Sequence, residues 1–409
     1  MKRVVVTGMG ALSPIGSDWQ EIKQRLLDGK TGIRYVEEWD KYKELNTRLG
    51  APLSAFEHPE HYPRKLTRSM GKVALMSTRA TELALQDANL LDDPSIKDGR
   101  MGVSYGSSIG SPDAMAHFGD MLLNNKSTGI NANSYLKMMS HTSAVNVGVF
   151  FGLQGRIIPT SSACTSGSQG IGYAYEAIKY GHQKLMVAGG AEELCGTEAA
   201  VFDTLYATST RNQEPHLTPR PFDKDRDGLV IGEGACTFVL EELEHALARG
   251  ARIHAELVGF GTNSDGAHVT QPEPATMYVA MQLALKDAKL QAGQIGYVSA
   301  HGTATQRGDI AESHATHRLF GRNIPISALK SYTGHTLGAC GALESMVAIR
   351  MMNDGWFHGT ANLVTPDSEC AELDYLTGKG RHFETGYVMN NNFAFGGINT
   401  SLVFKRHSS

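Results

Sequence analysis

Apolar residues in this chain form short β-branched runs that end at glycine-containing turns, and segments with helical periodicity lie between them. Strands are predicted over residues 3–10, 101–107, 155–160, 185–190, 233–241, 253–259, 295–300, 325–328 and 400–404. Helices are predicted over residues 18–27, 69–89, 170–180, 245–249, 277–287, 310–320 and 337–353. This alternation indicates an α/β protein built in layers.

The order of predicted elements is similar on the two sides of residue 250. We therefore expect two related βαβ-type halves, residues 1–250 and 251–409, that pack face to face. No strong residue-by-residue repeat aligns the two halves. Residues 30–65 are polar and irregular, and we expect them to run over the surface.

Cys164 lies where the apolar run at 155–160, read as a short buried strand, gives way to the helix at 170–180. A cysteine at the start of a helix is close to unpaired backbone N–H groups and a partial positive charge, which favour the thiolate and make the sulfur a better nucleophile. From the residue type alone, a small inert cysteine of the core is an equally good interpretation.

Composition restricts the classes of function. A net charge of −4 and a pI near 6.5 argue against a general binder of nucleic acid or of anionic membranes. No apolar run reaches the roughly 20 residues that cross a bilayer or forms a signal-peptide core, so we expect a cytoplasmic protein. The cysteines form no C-x-x-C pair, which fits a reduced compartment without structural zinc. Structural roles are expected for Cys195, Cys236, Cys340 and Cys370.

Two histidines lie in glycine-flanked turns after predicted strands. His301 follows the strand at 295–300 and His335 follows the strand at 325–328, and open α/β folds place their active sites at such strand ends. A cysteine hydrolase needs one base and one residue that orients the base. Two histidines and Lys330 are more groups than that mechanism uses, which argues against a hydrolase. Neutral imidazole N–H groups can donate to an enolate oxygen, which suits acyl transfer followed by carbon–carbon bond formation.

Ordered motifs are spread over the whole chain. They are VVVTGMG at 4–10, SACTSG at 162–167, RPFDKDRDG at 220–228, GEGA at 232–235, HGTAT at 301–305, KSYTGHTLGA at 330–339 and NFAFGGIN at 392–399. In this order they resemble the β-ketoacyl-acyl carrier protein synthases of the condensing-enzyme (thiolase-like) superfamily, in pattern most like the elongating, KAS II-like branch. The resemblance implies a thiolase-like fold with a layered α-β-α-β-α core.

The resemblance also implies roles for individual residues. Cys164 takes an acyl chain from the phosphopantetheine thioester of an acyl carrier protein. His301 and His335 promote decarboxylation of malonyl-carrier protein and stabilise the enolate, which attacks the acyl group to give 3-oxoacyl-carrier protein and CO2. The backbone N–H groups of Cys164 and Phe395 match the oxyanion hole, and Lys330 matches a lysine beside the active site. No resident cofactor is expected, because the substrates arrive on carrier proteins.

Asp309 and Glu312 match acidic positions of the family on the helix after the first histidine, and Glu344 is expected to be a further supporting residue. We expect Lys330, Asp309 and Glu344 to form a charged network, whose role could equally be structural. Glu312 can also be drawn as a metal ligand with His314 and His317, but no metal is expected because the family explains Glu312.

The pocket and the partner surface follow from the same resemblance. Phe395, Gly396 and Gly397 are expected to form a gating loop, and Ile109, Phe202 and Leu229 to line the acyl pocket, although core packing would explain the last three as well. Arg64, Lys65 and Arg68 are expected to attract an acidic carrier protein. The chain departs from the family pattern at Tyr206, Leu229 and Gln306.

Two other functions remain open from the sequence. One is a non-catalytic, chain-length-factor-like partner subunit, which the presence of Cys164, His301 and His335 argues against. The other is a thiolase-like acyltransferase that uses coenzyme A, which the paired histidines argue against. The expected assembly is a homodimer, with a heterodimer as the alternative. Chain length, saturation and the choice between fatty acid and polyketide or polyene synthesis are not determined by the sequence.

Overall fold

The computed structural model describes residues 1–53 and 56–407. The strands are β1 (Val4–Leu12), β2 (Arg34–Tyr35), β3 (Leu49–Ala51), β4 (Met101–Gly106), β5 (Ile157–Pro159), β6 (Leu185–Glu192), β7 (Ile231–Gly232), β8 (Gly234–Glu242), β9 (Ala255–Ser264), β10 (Tyr297–Ser299), β11 (Pro325–Ser327), β12 (Trp356–Phe357), β13 (Asp374–Tyr375), β14 (Arg381–His382), β15 (Tyr387–Ala394) and β16 (Ile398–Arg406). The helices are α1 (Trp19–Asp28), α2 (Arg64–Thr67), α3 (Lys72–Asp87), α4 (Pro112–Asn124), α5 (Ala132–Met138), α6 (Thr142–Phe151), α7 (Ser166–Lys179), α8 (Gly196–Asp203), α9 (Leu243–Ala248), α10 (Pro274–Ala288), α11 (Gln306–Phe320), α12 (Lys330–Thr333) and α13 (Cys340–Asp354).

The main sheet is mixed and runs through both halves in the order β13-β11-β10-β15-β16-β9-β1-β8-β6-β4-β5. In the first half β4 is parallel to β5 and β6, whereas β6, β8 and β1 are antiparallel neighbours. In the second half β10 is parallel to β11 and β15, whereas β15, β16 and β9 are antiparallel neighbours. A short antiparallel pairing of β1 with β9 joins these two matching arrangements.

Helices α7 and α13 pack against each other between the strands of the two halves. Glycines permit this close approach: a Cβ atom on Gly167 of α7 would lie 2.8 Å from the carbonyl oxygen of Gly338, and one on Gly341 of α13 would lie 2.8 Å from the backbone nitrogen of Ser168. Helix α3 packs on β1 and β8, and α10 packs on β9 and β16. The predicted layered α-β-α-β-α fold is confirmed.

A structural repeat links the halves where the sequence showed none. Gly8 in β1 faces α3, where an added Cβ would lie 2.2 Å from the carbonyl oxygen of Ala84. Gly259 in β9 faces α10 in the same manner, with an added Cβ 2.3 Å from the carbonyl oxygen of Ala284. Only glycine allows a strand and a helix to approach this closely. The division at residue 250 nevertheless stays a prediction.

Most predicted strands and helices are confirmed within a few residues, and the differences have physical reasons. The strand predicted at 155–160 is present as β5, but the expectation that it is buried is wrong. β5 lies at the end of the sheet, and Ile157 is 43% exposed. Three helices between residues 112 and 151 were not predicted, and neither was β15, whose run of asparagines hides its apolar pattern. None of the helices in the described part of the chain is long and apolar enough to cross a membrane.

Candidate active site

Cys164 lies in a tight 3-10 turn, Ala163–Thr165, that leads directly into α7. The turn is held by two hydroxyl donors: Thr165 Oγ1 donates to the Ser162 carbonyl at 2.8 Å, and Ser166 Oγ donates to the Ala163 carbonyl at 2.7 Å. Ala163 has φ of 50°, in the left-handed region that non-glycine residues rarely adopt. The predicted strand-to-helix position of the cysteine is therefore confirmed, in a strained turn of the kind that clusters at functional sites.

The two histidines are fixed through their backbones. The N–H groups of His301 and Gly302, which follow β10, each donate to the Glu312 carboxylate at 2.7 Å. His335 follows α12, and its N–H donates to the Val230 carbonyl at 2.6 Å. Both imidazoles are thus held at defined positions by segments far apart in the chain.

These segments bring the cysteine and both histidines together. The distance from Cys164 Sγ to His335 Nε2 is 2.9 Å. The ring centres of His301 and His335 are 5.3 Å apart, with the ring planes at 87°. The sulfur and one ring nitrogen of each histidine lie within 4.8 Å of one another. One substrate carbonyl can therefore reach the Cys164 sulfur and both imidazoles.

Lys330 links His301 to a buried carboxylate. Its Nζ atom is 3.1 Å from His301 Nδ1, donates to the His301 carbonyl at 2.7 Å and forms an ion pair with Glu344. Asn392 Nδ2 completes the cluster by donating to Glu344 Oε2 at 2.7 Å. Burial opposes the charge on Lys330, but the Glu344 carboxylate that pairs with it helps to raise its pKa overall, so the ammonium ion is retained.

The expected network of Lys330, Asp309 and Glu344 is wrong for Asp309, which lies beside Phe222 and Arg226 instead of Lys330. Its carboxylate accepts the N–H groups of Phe222 at 2.7 Å and Ala304 at 3.1 Å, and it lies 3.6 Å from Arg226 Nε. Asp309 is in the first turn of α11, so its side chain reaches the loop before the helix rather than Lys330. It joins the RPFDKDRDG segment to the loop that carries His301.

Two site residues were missed by sequence reasoning. Asn392 begins the NFAFGGIN motif, but the sequence predicts no role for it, and it predicts only a structural role for Cys340. Cys340 Sγ is 3.2 Å from the Cys164 carbonyl oxygen, to which it donates, and 3.7 Å from Asn392 Nδ2. The position of Cys340 at the start of the helix that follows His335 was the available signal.

The electrostatics of Cys164 differ from the sequence expectation. Burial raises the pKa of its thiol to about 11, although the charge of Lys330 and the backbone N–H groups of Phe395 and of Cys164 itself act in the opposite direction. Desolvation of the thiolate thus outweighs the start of the helix. The resting group is a thiol whose nearest proton acceptor is His335.

Both histidines are neutral at physiological pH. Burial lowers the pKa of His301 and of His335 well below the usual value, and the nearby positive charge of Lys330 lowers both further. A neutral imidazole keeps one N–H donor and one acceptor nitrogen. The pair can therefore donate hydrogen bonds to an oxygen on which negative charge develops.

A cavity of about 500 Å³ opens onto these groups. Of the predicted pocket residues, Phe202, Leu229, Phe395 and Gly397 line it, whereas Ile109 and Gly396 do not. Ile109 is placed beside Glu192, with its N–H 3.5 Å from the carboxylate. Tyr206 and Gln306, two positions that depart from the family, also line the cavity.

The loop between β15 and β16 forms one wall of this cavity. The Phe395 ring packs on Phe202 with ring centres 4.9 Å apart. Gly396 and Gly397 have φ of 86° and 71°, which glycine adopts without strain. The Gly396 N–H donates to the Val269 carbonyl at 2.8 Å. The gating role of this loop stays a prediction.

The remaining predicted residues lie at the surface or away from one another. Arg64, Lys65 and Arg68 are exposed on α2 and its C-terminal end, at spacings that share one helix face. Glu312 turns inward to the His301 loop, whereas His314 Nε2 is 2.9 Å from the Glu369 carbonyl. Glu312, His314 and His317 do not form a cluster of ligand atoms in the described part of the chain.

Comparison with known proteins agrees with this site. The chain matches the family model "Beta-ketoacyl synthase, N-terminal domain" over residues 1–246 and "Beta-ketoacyl synthase, C-terminal domain" over residues 254–364. It is 38% identical to the 3-oxoacyl-[acyl-carrier-protein] synthase 2 of Vibrio harveyi, with 99% of each chain covered. A crystal structure of a β-ketoacyl synthase from Burkholderia phymatum STM815 is similar over 100% of both chains, with 62% identity and a TM-score of 0.99.

A type II polyketide ketosynthase solved with its acyl-carrier protein is 31% identical over 100% of both chains, with a TM-score of 0.88. The thiolase-like fold and the site define a condensing acyltransferase. The chain belongs to the β-ketoacyl synthase family, and its full-length relatives are 3-oxoacyl-[acyl-carrier-protein] synthases. Its activity is that of a β-ketoacyl synthase, and the solved polyketide ketosynthase holds its own acyl-carrier protein as a partner.

Proposed function

We propose that Cys164 carries the acyl group and that His301 and His335 catalyse decarboxylation and carbon–carbon bond formation. The observation that supports this assignment is the convergence of the cysteine sulfur and one nitrogen of each neutral histidine within 4.8 Å. This complete set argues against a non-catalytic partner subunit. Lys330 acts through His301, since its ammonium group favours the neutral imidazole.

In the first step, the Cys164 sulfur attacks the carbonyl carbon of an acyl-carrier thioester. Its proton passes to His335 Nε2, 2.9 Å away, and from there to the departing phosphopantetheine thiol. The N–H groups of Cys164 and Phe395 stabilise the oxyanion of the tetrahedral intermediate. One thioester is broken and one is formed, so no oxidant and no resident cofactor is needed.

In the second step, malonyl-carrier protein places its thioester oxygen beside both imidazoles. His335 then carries its hydrogen on Nε2, because the acylated sulfur no longer donates to that nitrogen. The malonyl carboxylate leaves as CO2, and the electron pair of the broken bond forms an enolate that His301 and His335 stabilise. The enolate carbon attacks the acyl carbonyl on Cys164. Collapse of this intermediate expels the Cys164 thiolate, which takes up one proton from water, and gives a 3-oxoacyl-carrier protein two carbons longer.

The carrier protein is proposed to approach through the basic face formed by Arg64, Lys65 and Arg68. Carrier proteins are acidic, and complementary surface charges increase association rates more than they increase affinity. Replacing all three by Ala should lower kcat/KM for carrier-bound substrates, with little change for small thioesters. An equal loss for both kinds of substrate would contradict this surface. Cytoplasmic location stays a prediction that cell fractionation checks.

The assembly is proposed to be a homodimer built on the edge of β5. In the described part of the chain this strand pairs only with β4, and unpaired strand edges favour association with another strand. The same half of the chain also exposes apolar side chains on α4, including Leu122 and Leu123 at 83% and 82% exposure. Light scattering of the pure protein measures the mass, and a stable monomer would contradict the proposal.

Intact-mass spectrometry with a panel of acyl-carrier proteins tests the catalytic assignment. The parent enzyme should gain one acyl group and then convert malonyl-carrier protein to the 3-oxoacyl product. Cys164→Ala should gain no acyl group, whereas the matched control Cys195→Ala, at a partly exposed thiol outside the cavity, should behave like the parent. Acyl transfer to the Cys164→Ala variant would contradict the assignment of Cys164 as the nucleophile. The panel also determines chain length.

A further inference from the structure

Arg307 is an exposed cation on the wall of the catalytic cavity. It lies in the first turn of α11 and lines the cavity of about 500 Å³ that contains Cys164 and both catalytic histidines. It also lines a second, more open depression of about 400 Å³, together with Gln271 and Pro272, which both cavities share. Arg307 therefore marks the place where the catalytic cavity continues to the surface.

The other charged groups on this wall already have partners. Arg226 forms ion pairs with Asp309 at 3.6 Å and Asp367 at 2.5 Å. Asp227 is 3.5 Å from Arg211. Because Arg226 and Asp227 are already paired with charges of the protein, neither needs a charged ligand to neutralise it.

Two further carboxylates of the cavity wall are also engaged. Asp265 Oδ1 accepts a hydrogen bond from Asn399 Nδ2 at 2.7 Å. Glu312 accepts the two backbone N–H groups of the His301 loop. In the described part of the chain no carboxylate pairs with Arg307, so its guanidinium is available to an anion that occupies the cavity mouth.

We propose that Arg307 binds the phosphate of the phosphopantetheine arm as the arm enters the cavity. This proposal rests on the proposed function, in which a thioester at the end of that arm reaches Cys164. The phosphate lies at the opposite end of the arm, so it stays near the surface when the thioester is inside. A guanidinium donates two parallel hydrogen bonds to phosphate oxygens, and such charge-assisted bonds are among the strongest in proteins.

Coenzyme A thioesters carry the same phosphate as the carrier protein's arm. The test therefore needs substrates that distinguish the carrier protein from coenzyme A. Malonyl-phosphopantetheine and malonyl-pantetheine differ only in the phosphate, so comparing their KM values isolates the contribution of the phosphate. Malonyl-carrier protein and malonyl-coenzyme A are measured as two further substrates. For Arg307→Ala we expect KM to rise roughly tenfold for the phosphate-bearing substrates, including the carrier, and less than about twofold for malonyl-pantetheine. Arg307→Lys should restore part of the loss, since lysine keeps the charge without the bidentate geometry.

Arg322→Ala is the matched control, because Arg322 is an exposed arginine just after α11 and outside the cavity. Equal KM changes for malonyl-phosphopantetheine and malonyl-pantetheine, or no change for either, would overturn the proposal. A change with coenzyme A thioesters but not with the carrier would overturn it as well. A different result would contradict the proposed function itself: the parent enzyme would form no condensation product from any of these substrates.

Discussion

The first and second halves of the molecule anchor their outer helices in the same way. In the first half the Met9 N–H of β1 donates to the carboxylate of Asp87 at the end of α3, at 3.0 Å. In the second half the Phe260 N–H of β9 donates to Asp287 near the end of α10, at 3.1 Å. The strand glycines Gly8 and Gly259 approach these helices equally closely. The scaffold is therefore duplicated down to individual hydrogen bonds.

The halves differ where the chemistry lies. Both inner helices follow a 3-10 turn that begins with positive φ, 50° at Ala163 and 41° at Leu337. The next residue is Cys164 in the first half and Gly338 in the second. A Cβ on Gly338 would lie 2.8 Å from Ser107 Cα, so the second turn has no room for a side chain. One half therefore supplies Cys164, the proposed nucleophile, and the other supplies His301, His335 and Lys330 from its loops and α12.

The strongest test of this division separates acyl loading from decarboxylation. His301→Ala should lower decarboxylation of malonyl-carrier protein by about 10²–10³-fold, the usual cost of removing a donor to a developing oxyanion, with acyl loading of Cys164 changed only a few-fold. His335→Ala should slow both steps, because His335 contacts the sulfur. Single-turnover assays measure each step. Decarboxylation at the parent rate in both variants would refute the enolate role.

The second test concerns the buried pair that supports His301. Lys330→Met leaves the Glu344 carboxylate buried without its cation and should lower the free energy of unfolding by about 3–5 kcal/mol. The double variant Lys330→Met/Glu344→Leu should recover part of this loss. Lys23→Met breaks a partly exposed pair with Asp354 and should cost less than about 1 kcal/mol. Denaturant unfolding compares the variants, and equal costs for Lys330→Met and Lys23→Met would contradict the buried ion pair.

The duplicated scaffold predicts equal effects at equivalent glycines. Gly8→Ala and Gly259→Ala each force a Cβ against a helix carbonyl and should destabilise the protein by about 1–3 kcal/mol, to a similar extent. Gly119→Ala in α4 meets no atom within 4 Å and is the control, with no destabilisation expected. A large difference between Gly8→Ala and Gly259→Ala in thermal unfolding would show that the halves are not equivalent in packing.

The smallest effect is expected from pH. The pKa values of His301 and His335 are lowered, so both rings stay neutral until the pH falls well below 6.5. Single-turnover decarboxylation should therefore be nearly constant from about pH 6 to 8 and decrease only at lower pH, as the rings become protonated. A decrease centred between pH 6 and 7 would show histidines with ordinary pKa values and would contradict their burial.

The motifs and periodicity of the sequence predicted most of the elements and the three main site residues. Cys164 lies between an apolar run and a predicted helix, and His301 and His335 lie in glycine-containing turns, so the local pattern marked them as candidates. Asn392 and Cys340 could not be assigned this way, because their importance comes from contacts with Glu344 and with the Cys164 carbonyl, far away in the chain. Asp309 was placed in the wrong network for the same reason.

By itself, the sequence determined the alternation of strands and helices, the family and the residue types available for chemistry, because these depend on local pattern. Only the tertiary structure decided which groups meet and in which protonation state. Burial in the centre of the fold raises the pKa of the Cys164 thiol, against the expectation from the start of α7, and lowers the pKa of both histidines. Desolvation depends on everything packed around a group, so it appears only when the chain is folded.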